Sequence, residues 1–406
     1  MLLALGIFLL TYLLISVQRF PGVSIDRPGG ALLGAVLMVL LGVVTFEGAI
    51  ASIDFRTIVL LLGMMILVSY LAMAGFLDLV SVRILRVART PFQLLALVAV
   101  SAGALSALFV NDTICLIYTP ILLRAVLLAK LPPAPYLIAL ATSSNIGSVA
   151  TLVGNPQNML LGMRSGVPFL EFSRRMLPIA VLGLAIDIGV IAYLYRGAIF
   201  ARGYRVEIPD PKVDVPLLMK ALIVLGAVLL GFVLGGNIPL VAISAASAML
   251  LVGGKMPARV LRRVDWTLLL FFSGLFIVMA GVEESGLLEE LLALFDPLLR
   301  LQGLGFILGL SLLAVVASNI VSNVPFVMMV LPMVDRIGGG DLVFYTLAMS
   351  ATFAGNLTVI GSVANMIVLE LGRRAGVEVG FFEFARVGIL VTAATVLVGG
   401  VILSLP

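Results

Sequence analysis

The residues able to do chemistry stand in four short polar stretches set into apolar sequence. Two of them, Asn111-Asp112-Thr113 and Ser322-Asn323-Val324, interrupt long runs of Leu, Ile, Val and Ala. The other two begin at Ser144-Asn145, with Gly147, and at Gly355-Asn356. They continue into Thr151, Gly154, Asn155, Pro156 and Asn158, and into Thr358, Gly361 and Asn365. Gly154 permits an unwound turn and Pro156 removes a backbone donor, so a helix is expected to break there. A broken helix offers free N–H groups and a positive dipole end to an anion. Its unwound carbonyls can hold Na⁺, and such an ion could sit near Asn111, Asn145, Asn323 and Asn356. Hydrogen bonding between helices is the competing use of these side chains; their recurrence in paired clusters favours a central binding site.

Two carboxylates also fall in apolar segments. Asp112 follows Asn111, and Asp187 lies midway along 178–196. Acids inside a membrane are costly and default to a functional reading. Either could carry a proton, and Asp112 could instead cap the helix that starts at Thr113. The chain has no histidine and one cysteine, Cys115, which is assigned to packing. Imidazole metal sites, histidine-based catalysis, an intrachain disulfide and a CxxC site are thereby excluded. No catalytic constellation remains, so the chain is not read as an enzyme, and no cofactor is expected beyond a coupling ion.

These residues need a membrane to position them. Of 406 residues 62% are hydrophobic and 11% charged, against about 25% charged in an average soluble domain. That composition rules out a cytosolic enzyme, a disordered chain and a nucleic-acid-binding domain. The net charge of +4 is read as an excess of basic cytoplasmic loops. Apolar runs suited to a bilayer of about 30 Å lie at 1–18, 30–48, 57–75, 91–110, 112–129, 135–163, 178–196, 215–234, 237–253, 267–284, 303–321, 324–334, 341–371 and 384–404. Two amphipathic helices are expected in the interface: a basic one at 77–90, with Arg83, Arg86 and Arg89, and an acidic one at 286–300, with Glu289, Glu290 and Asp296.

The two halves repeat. Asp54, Gly63 and Gly75 match Asp265, Gly274 and Gly286 at one offset, 211 residues. Asn111 matches Asn323, and each is followed nine residues later by a proline, Pro120 and Pro332. Thr151 to Asn158 and Thr358 to Asn365 share T-x-V/I-G-x-x-x-N. If the pairs around Asn111 and Asn323 are re-entrant hairpins, each repeat has five spans, and an odd number inverts the second repeat. Inverted repeats with broken helices are typical of secondary transporters. That topology places 19 of the 25 Lys and Arg residues on one side and 6 on the other. The basic side is expected to be cytoplasmic, including loop 197–214, with both termini outside.

The expected fold is therefore an all-α polytopic membrane protein of two inverted five-helix repeats. Each repeat carries a re-entrant hairpin (91–129 and 303–336) and a broken helix (135–163 and 341–371). On the residues quoted above, with Asn145-Ile146-Gly147 and Gly355 through Asn365, the chain resembles the ion transporter superfamily of arsenite permeases, divalent anion/sodium symporters, citrate transporters and bacterial Na⁺/H⁺ antiporters. The resemblance covers nearly the whole chain. It implies an elevator-type homodimer in the cell membrane. The scaffold would be 1–76 and 215–285, and the transport domain 91–196 and 301–406, with the two interfacial helices as arms. Sodium-coupled carboxylate members carry Ser-Asn-Thr at both tips; here Asn-Asp-Thr and Ser-Asn-Val stand there, and the Asn-Asp pair is more like the arsenite permease branch. The function implied is secondary transport of a small anion or oxyanion, coupled to Na⁺ or H⁺. The alternative is a Na⁺/H⁺ antiporter using Asp112.

Overall fold

Capping residues and prolines decide where the helices begin. Asp26 accepts the Gly29 N–H at 2.8 Å and starts Arg27–Leu40; Asn237 accepts from Leu240 at 3.1 Å and starts Ile238–Val252. Asp54 and Asp265 likewise cap Phe55–Met73 and Trp266–Glu284. Each cap removes an orphan N–H from the helix start. Both pairs of caps are spaced by the offset of the sequence repeat. The computed structural model describes residues 1–406 except 17–18, 21–22, 202, 204–209, 255, 288–289, 291–300, 335–339 and 406, together with the side chains of 19–20 and 23–24.

The regular structure among the described residues is helical apart from a two-residue antiparallel pair, Arg19–Phe20 with Val23–Ser24. Among the described residues eight helices are long and apolar enough to cross a membrane: Phe55–Met73, Pro91–Leu108, Asn111–Leu128, Phe169–Leu194, Val215–Val233, Trp266–Glu284, Gly303–Val321 and Phe381–Ser404. Three of these belong to the hairpins, so length alone does not separate a hairpin arm from a span. Large side chains such as Leu234, Leu251 and Phe382 stand exposed on the outer faces, as suits a protein surrounded by hydrocarbon.

Four helices pack in exchanged pairs. Arg27–Leu40 lies on Trp266–Glu284, and Ile238–Val252 lies on Phe55–Met73. Glycine sets the approach in both. A Cβ on Gly63 would lie 2.7 Å from the Ala242 backbone, and one on Gly274 would lie 2.9 Å from the Ala31 backbone. Small residues of this kind let membrane helices come together without side chains between them. Val215–Val233 joins them, packed on Ile238–Val252 and Phe55–Met73, and the other long helices form a second group in which Pro91–Leu108 packs on Ala134–Ser148 and Gly303–Val321 on Asp341–Ala354.

The breaks differ in detail from those expected. The run 135–163 is two helices, Ala134–Ser148 and Pro156–Ser165, and 341–371 is Asp341–Ala354, a short 3-10 turn Val359–Gly361, and Val363–Arg374. Asn111-Asp112-Thr113 does not unwind; the hairpin gap is Phe109–Val110, and Asn111 already begins the returning helix, which continues through Pro120. In the second hairpin the gap is Ser322 alone, followed by Asn323–Val330 and a 3-10 turn at Leu331–Met333, where Pro332 sits. The span expected at 178–196 starts at Phe169 and runs through Pro178. The basic interfacial segment is a helix, Phe76–Val87. Most of the acidic one lies outside the described residues, as do 335–336 at the end of the second hairpin.

Candidate functional site

Asn145 is the junction of the molecule. Its Oδ1 accepts from Asn111 Nδ2 at 2.9 Å and from Ser362 Oγ at 3.1 Å. Its Nδ2 donates to Asn356 Oδ1 at 2.9 Å and to Asn365 Oδ1 at 3.1 Å. One amide thus ties the first hairpin tip to both sides of the second half's break. Every residue from Pro135 to Ser148 is buried, so the helix that carries Asn145 is enclosed by protein on all sides. That enclosure lets Ser143, Ser144 and Asn145 sit in an apolar environment, since each polar group finds a partner inside.

Both breaks are stapled in the same way. Asn158 Nδ2 donates to the carbonyls of Ser148 at 3.2 Å and Thr151 at 3.0 Å. Asn365 Nδ2 donates to those of Gly355 at 2.7 Å and Thr358 at 3.0 Å. Thr151 donates to the Ala107 carbonyl, and Thr358 to Asn319 Oδ1 at 2.8 Å. Four of the unwound carbonyls offered above to Na⁺ are therefore bonded to asparagine amides. Gly147, Gly154 and Gly361 act by size: a Cβ on Gly147 would overlap the Gly103 backbone, and one on Gly154 the Ser148 carbonyl. Asn155 caps the Pro156 helix through the Asn158 N–H at 2.8 Å. Ser144 contacts Cys115 Sγ at 3.0 Å in the core.

The hairpin tips, the two helix starts after the breaks and the other helix group enclose a cavity of about 160 Å³. Asn111, Asp112, Ser322, Asn323 and Val324 line it from the tips. Pro156, Gln157, Ser362 and Val363 line it from the helix starts, and Arg27 and Asp265 from the opposite group. Asn323 Oδ1 is buried with no hydrogen-bond partner among the described residues. Thr113 faces a neighbouring cavity that Asp112 and Asp265 also line. Asp187 lies in neither.

Arg27 is the site residue that sequence reasoning missed. It is one of the 19 basic residues expected on the cytoplasmic side, and its Nη1 lies 3.5 Å from Ser322 Oγ at the second tip, with its charge acting on Asp112. Asp112 does not cap its own helix. It faces the start of the half-helix Val363–Arg374 of the other half, whose Val363 lines the same cavity. Gln157 was also passed over; it lines the cavity and donates to Thr352 Oγ1 at 3.2 Å. A contact between chain halves leaves no local signature. The offset repeat could have flagged Arg27, because Asp26-Arg27-Pro28 matches Asn237-Ile238-Pro239 with a charge in one copy only.

A helical membrane protein whose two halves bring hairpin tips and interrupted helices to one junction beside a polar cavity is a membrane transporter. The chain belongs to the citrate transporter family CitMHS, whose model matches residues 12–343. It is 31% identical to a 46 kDa membrane protein of Mycobacterium leprae, over 99% of this chain and 98% of that one. It is 29% identical to the silicon efflux transporter LSI3 of Oryza sativa, over 92% of this chain and 90% of that one. The crystal structure of the YdaH transporter of Alcanivorax borkumensis shares the fold, with a TM-score of 0.61 at 16% identity over 99% of this chain and 96% of that chain.

Proposed function

We propose that this protein is a secondary transporter of a small hydroxylated oxyacid, of the arsenite or silicate type, coupled to an ion gradient. The observation that carries the reading is the charge of the cavity: one guanidinium, Arg27, faces two carboxylates, Asp112 and Asp265. A solute bearing several negative charges would meet that pair without compensation. An oxyacid that stays largely uncharged near neutral pH has hydroxyls to donate to Asn323 Oδ1 and the carboxylates, and oxygens to accept from Arg27. The cavity volume suits a solute of that size. The silicon efflux relative fits a small oxygen-rich solute.

The two helix groups support an elevator-type movement. The tips and breaks form one hydrogen-bonded body through Asn145, while Arg27 and Asp265 come from the exchanged helix pairs. In this reading the body carrying Asn111, Asn145, Asn323 and Asn356 moves with the solute, and the other group stays fixed, in a homodimer with both termini outside. Proteoliposomes challenged with arsenite, silicate, citrate, succinate and sulfate, each under a Na⁺ or a pH gradient, test it. Uptake of an oxyacid, lost in Asn111→Ala and Asn323→Ala proteins that fold as wild type, is the expected result. Wild-type uptake by both variants would overturn it. A pH change driven by NaCl with no other solute would assign the protein to Na⁺/H⁺ exchange at Asp112.

A further inference from the structure

Asp187 lies outside the cavity and is fully buried within the Phe169–Leu194 helix. Its Oδ2 meets two hydroxyls of the Ala134–Ser148 helix, Ser143 Oγ at 2.5 Å and Thr142 Oγ1 at 3.0 Å. Its Oδ1 has no hydrogen-bond partner among the described residues. We infer that Asp187, Thr142 and Ser143 form a proton-carrying site, distinct from the solute cavity, through which proton movement is coupled to solute movement. The inference rests on the transport reading given above.

Hydrogen counting supports it. Thr142 Oγ1 also lies 2.8 Å from the Ile138 carbonyl, and a hydroxyl has one hydrogen to give. With that hydrogen on Ile138, Thr142 turns a lone pair toward Asp187. In a carboxylic acid Oδ2–H donates to Thr142 and Oδ2 accepts from Ser143, and the Oδ1 left over is an uncharged carbonyl. An ionised carboxylate would keep a single donor and one bare oxygen in a dry interior, which is costly. Asp112 differs in its surroundings, since Arg27 lines the same cavity as its carboxylate.

The charged and titratable groups on the helices packed against Asp187 are engaged elsewhere. On Phe381–Ser404, Glu383 accepts from Tyr195, two turns beyond Asp187, with Arg386 beside it. Arg196 sits over the Tyr193 ring, and Lys220 bonds the Val252 carbonyl. Tyr345 packs against the Phe172 ring near the other end of the helix, close to Glu171, Arg175 and Asp341. Tyr136 donates to the Pro91 carbonyl, and Pro91–Leu108 carries no charge. Among the described residues no charged group acts on Asp187.

The site is placed to act on the junction. Ser143 and Thr142 precede Asn145 by two and three residues. Gly183, one turn before Asp187, lies where a Cβ would come within 2.8 Å of Ile146 Cγ2 and 3.6 Å of Thr395 Cγ2. Loss of the proton from Asp187 takes a donor from Thr142 and changes the bonds of the helix that holds both breaks together. A proton taken up from water on one side and released on the other accompanies each turnover.

Proteoliposomes loaded with a pH-sensitive dye and given arsenite or silicate measure both fluxes. In the wild type, solute entry is expected to move protons at a fixed ratio. In Asp187→Asn, which copies the neutral acid in shape, that ratio is expected to fall at least tenfold. Ser143→Ala, which removes a donor without disturbing the acid's packing, is expected to move the midpoint of the pH profile of uptake; it stands in for Asp187→Asn if that protein does not fold. A wild-type ratio in Asp187→Asn, an unmoved midpoint in Ser143→Ala, or wild-type solute flux that follows Na⁺ and carries no proton overturns the inference. Wild-type protein that exchanges no solute at all overturns the transport reading instead, and counterflow of labelled solute tells the two failures apart.

Discussion

Asn145 Nδ2 and Asn356 Oδ1 are 2.9 Å apart, and this bond joins the interrupted helix of one half to the unwound segment of the other. Asn145 supplies four bonds at a position 1% exposed. Its removal strands an amide on Asn111, a hydroxyl on Ser362 and acceptors on Asn356 and Asn365. Each buried group left without a partner costs about 1–3 kcal/mol, with partial relief by rearrangement. Asn145→Ala is expected to lower unfolding stability in detergent by about 2–4 kcal/mol and to abolish transport; thermal unfolding and uptake on the same preparation check both.

Arg27 is expected to act on solute affinity more than on folding. It is the cation lining the cavity, and its contact with Ser322 is long, at 3.5 Å. A charge-assisted hydrogen bond is worth about 1.5–3 kcal/mol, which corresponds to roughly 10–100-fold in an equilibrium constant. Arg27→Gln should raise the half-saturating solute concentration by that order, with a smaller change in maximal rate. Unchanged half-saturation in a concentration series would remove Arg27 from the solute site.

The parts of the site legible in sequence are those that recur. Asn111 with Asn323, and Thr151 to Asn158 with Thr358 to Asn365, announce themselves by repetition, and the structure brings them to one place. Composition alone fixes the helical membrane architecture. What stayed hidden depends on partners far away in the chain. Asp112 faces the start of a helix that begins some 250 residues later, and the hydroxyls on Asp187 come from 44 and 45 residues earlier. Arg27 was hidden by its own type, because an arginine beside an apolar run is counted with the basic residues of the cytoplasmic side. The unwinding at Asn111 was misplaced because polarity marks depth and partners and leaves the dihedral angles open.

Ser322 carries strain that its counterpart does not. Its φ is 77° and ψ 159°, a region that suits glycine, whereas Val110 at the first tip has φ −59° and ψ 122°. Residues held there cost about 1–3 kcal/mol. Ser322→Gly should relieve part of that and raise unfolding stability by about 1 kcal/mol, while Ser322→Ala should not. The glycine also loses the oxygen near Arg27, so a stabilised protein with altered solute affinity is the expected pair of results from thermal unfolding and uptake curves.

The exchanged glycine contacts give the most direct test of the packing. Gly63 faces the Ala242 backbone, and Gly274 faces the Ala31 backbone. In both cases the obstacle is main chain, which cannot rotate aside, so an added methyl must push two helices apart. Overpacking of this kind costs about 1–3 kcal/mol. Gly63→Ala and Gly274→Ala should each destabilise by that amount and by similar amounts to one another, since the surroundings are related by the repeat. The two contacts share no partner, so the double variant should show the sum of the two losses within about 0.5 kcal/mol. Gly226, where a Cβ would meet nothing within 4 Å, is the control, and Gly226→Ala should leave stability unchanged or slightly raised. A large loss at Gly226 with none at Gly63 or Gly274 in chemical denaturation would mean that the helix pairs are not packed as described.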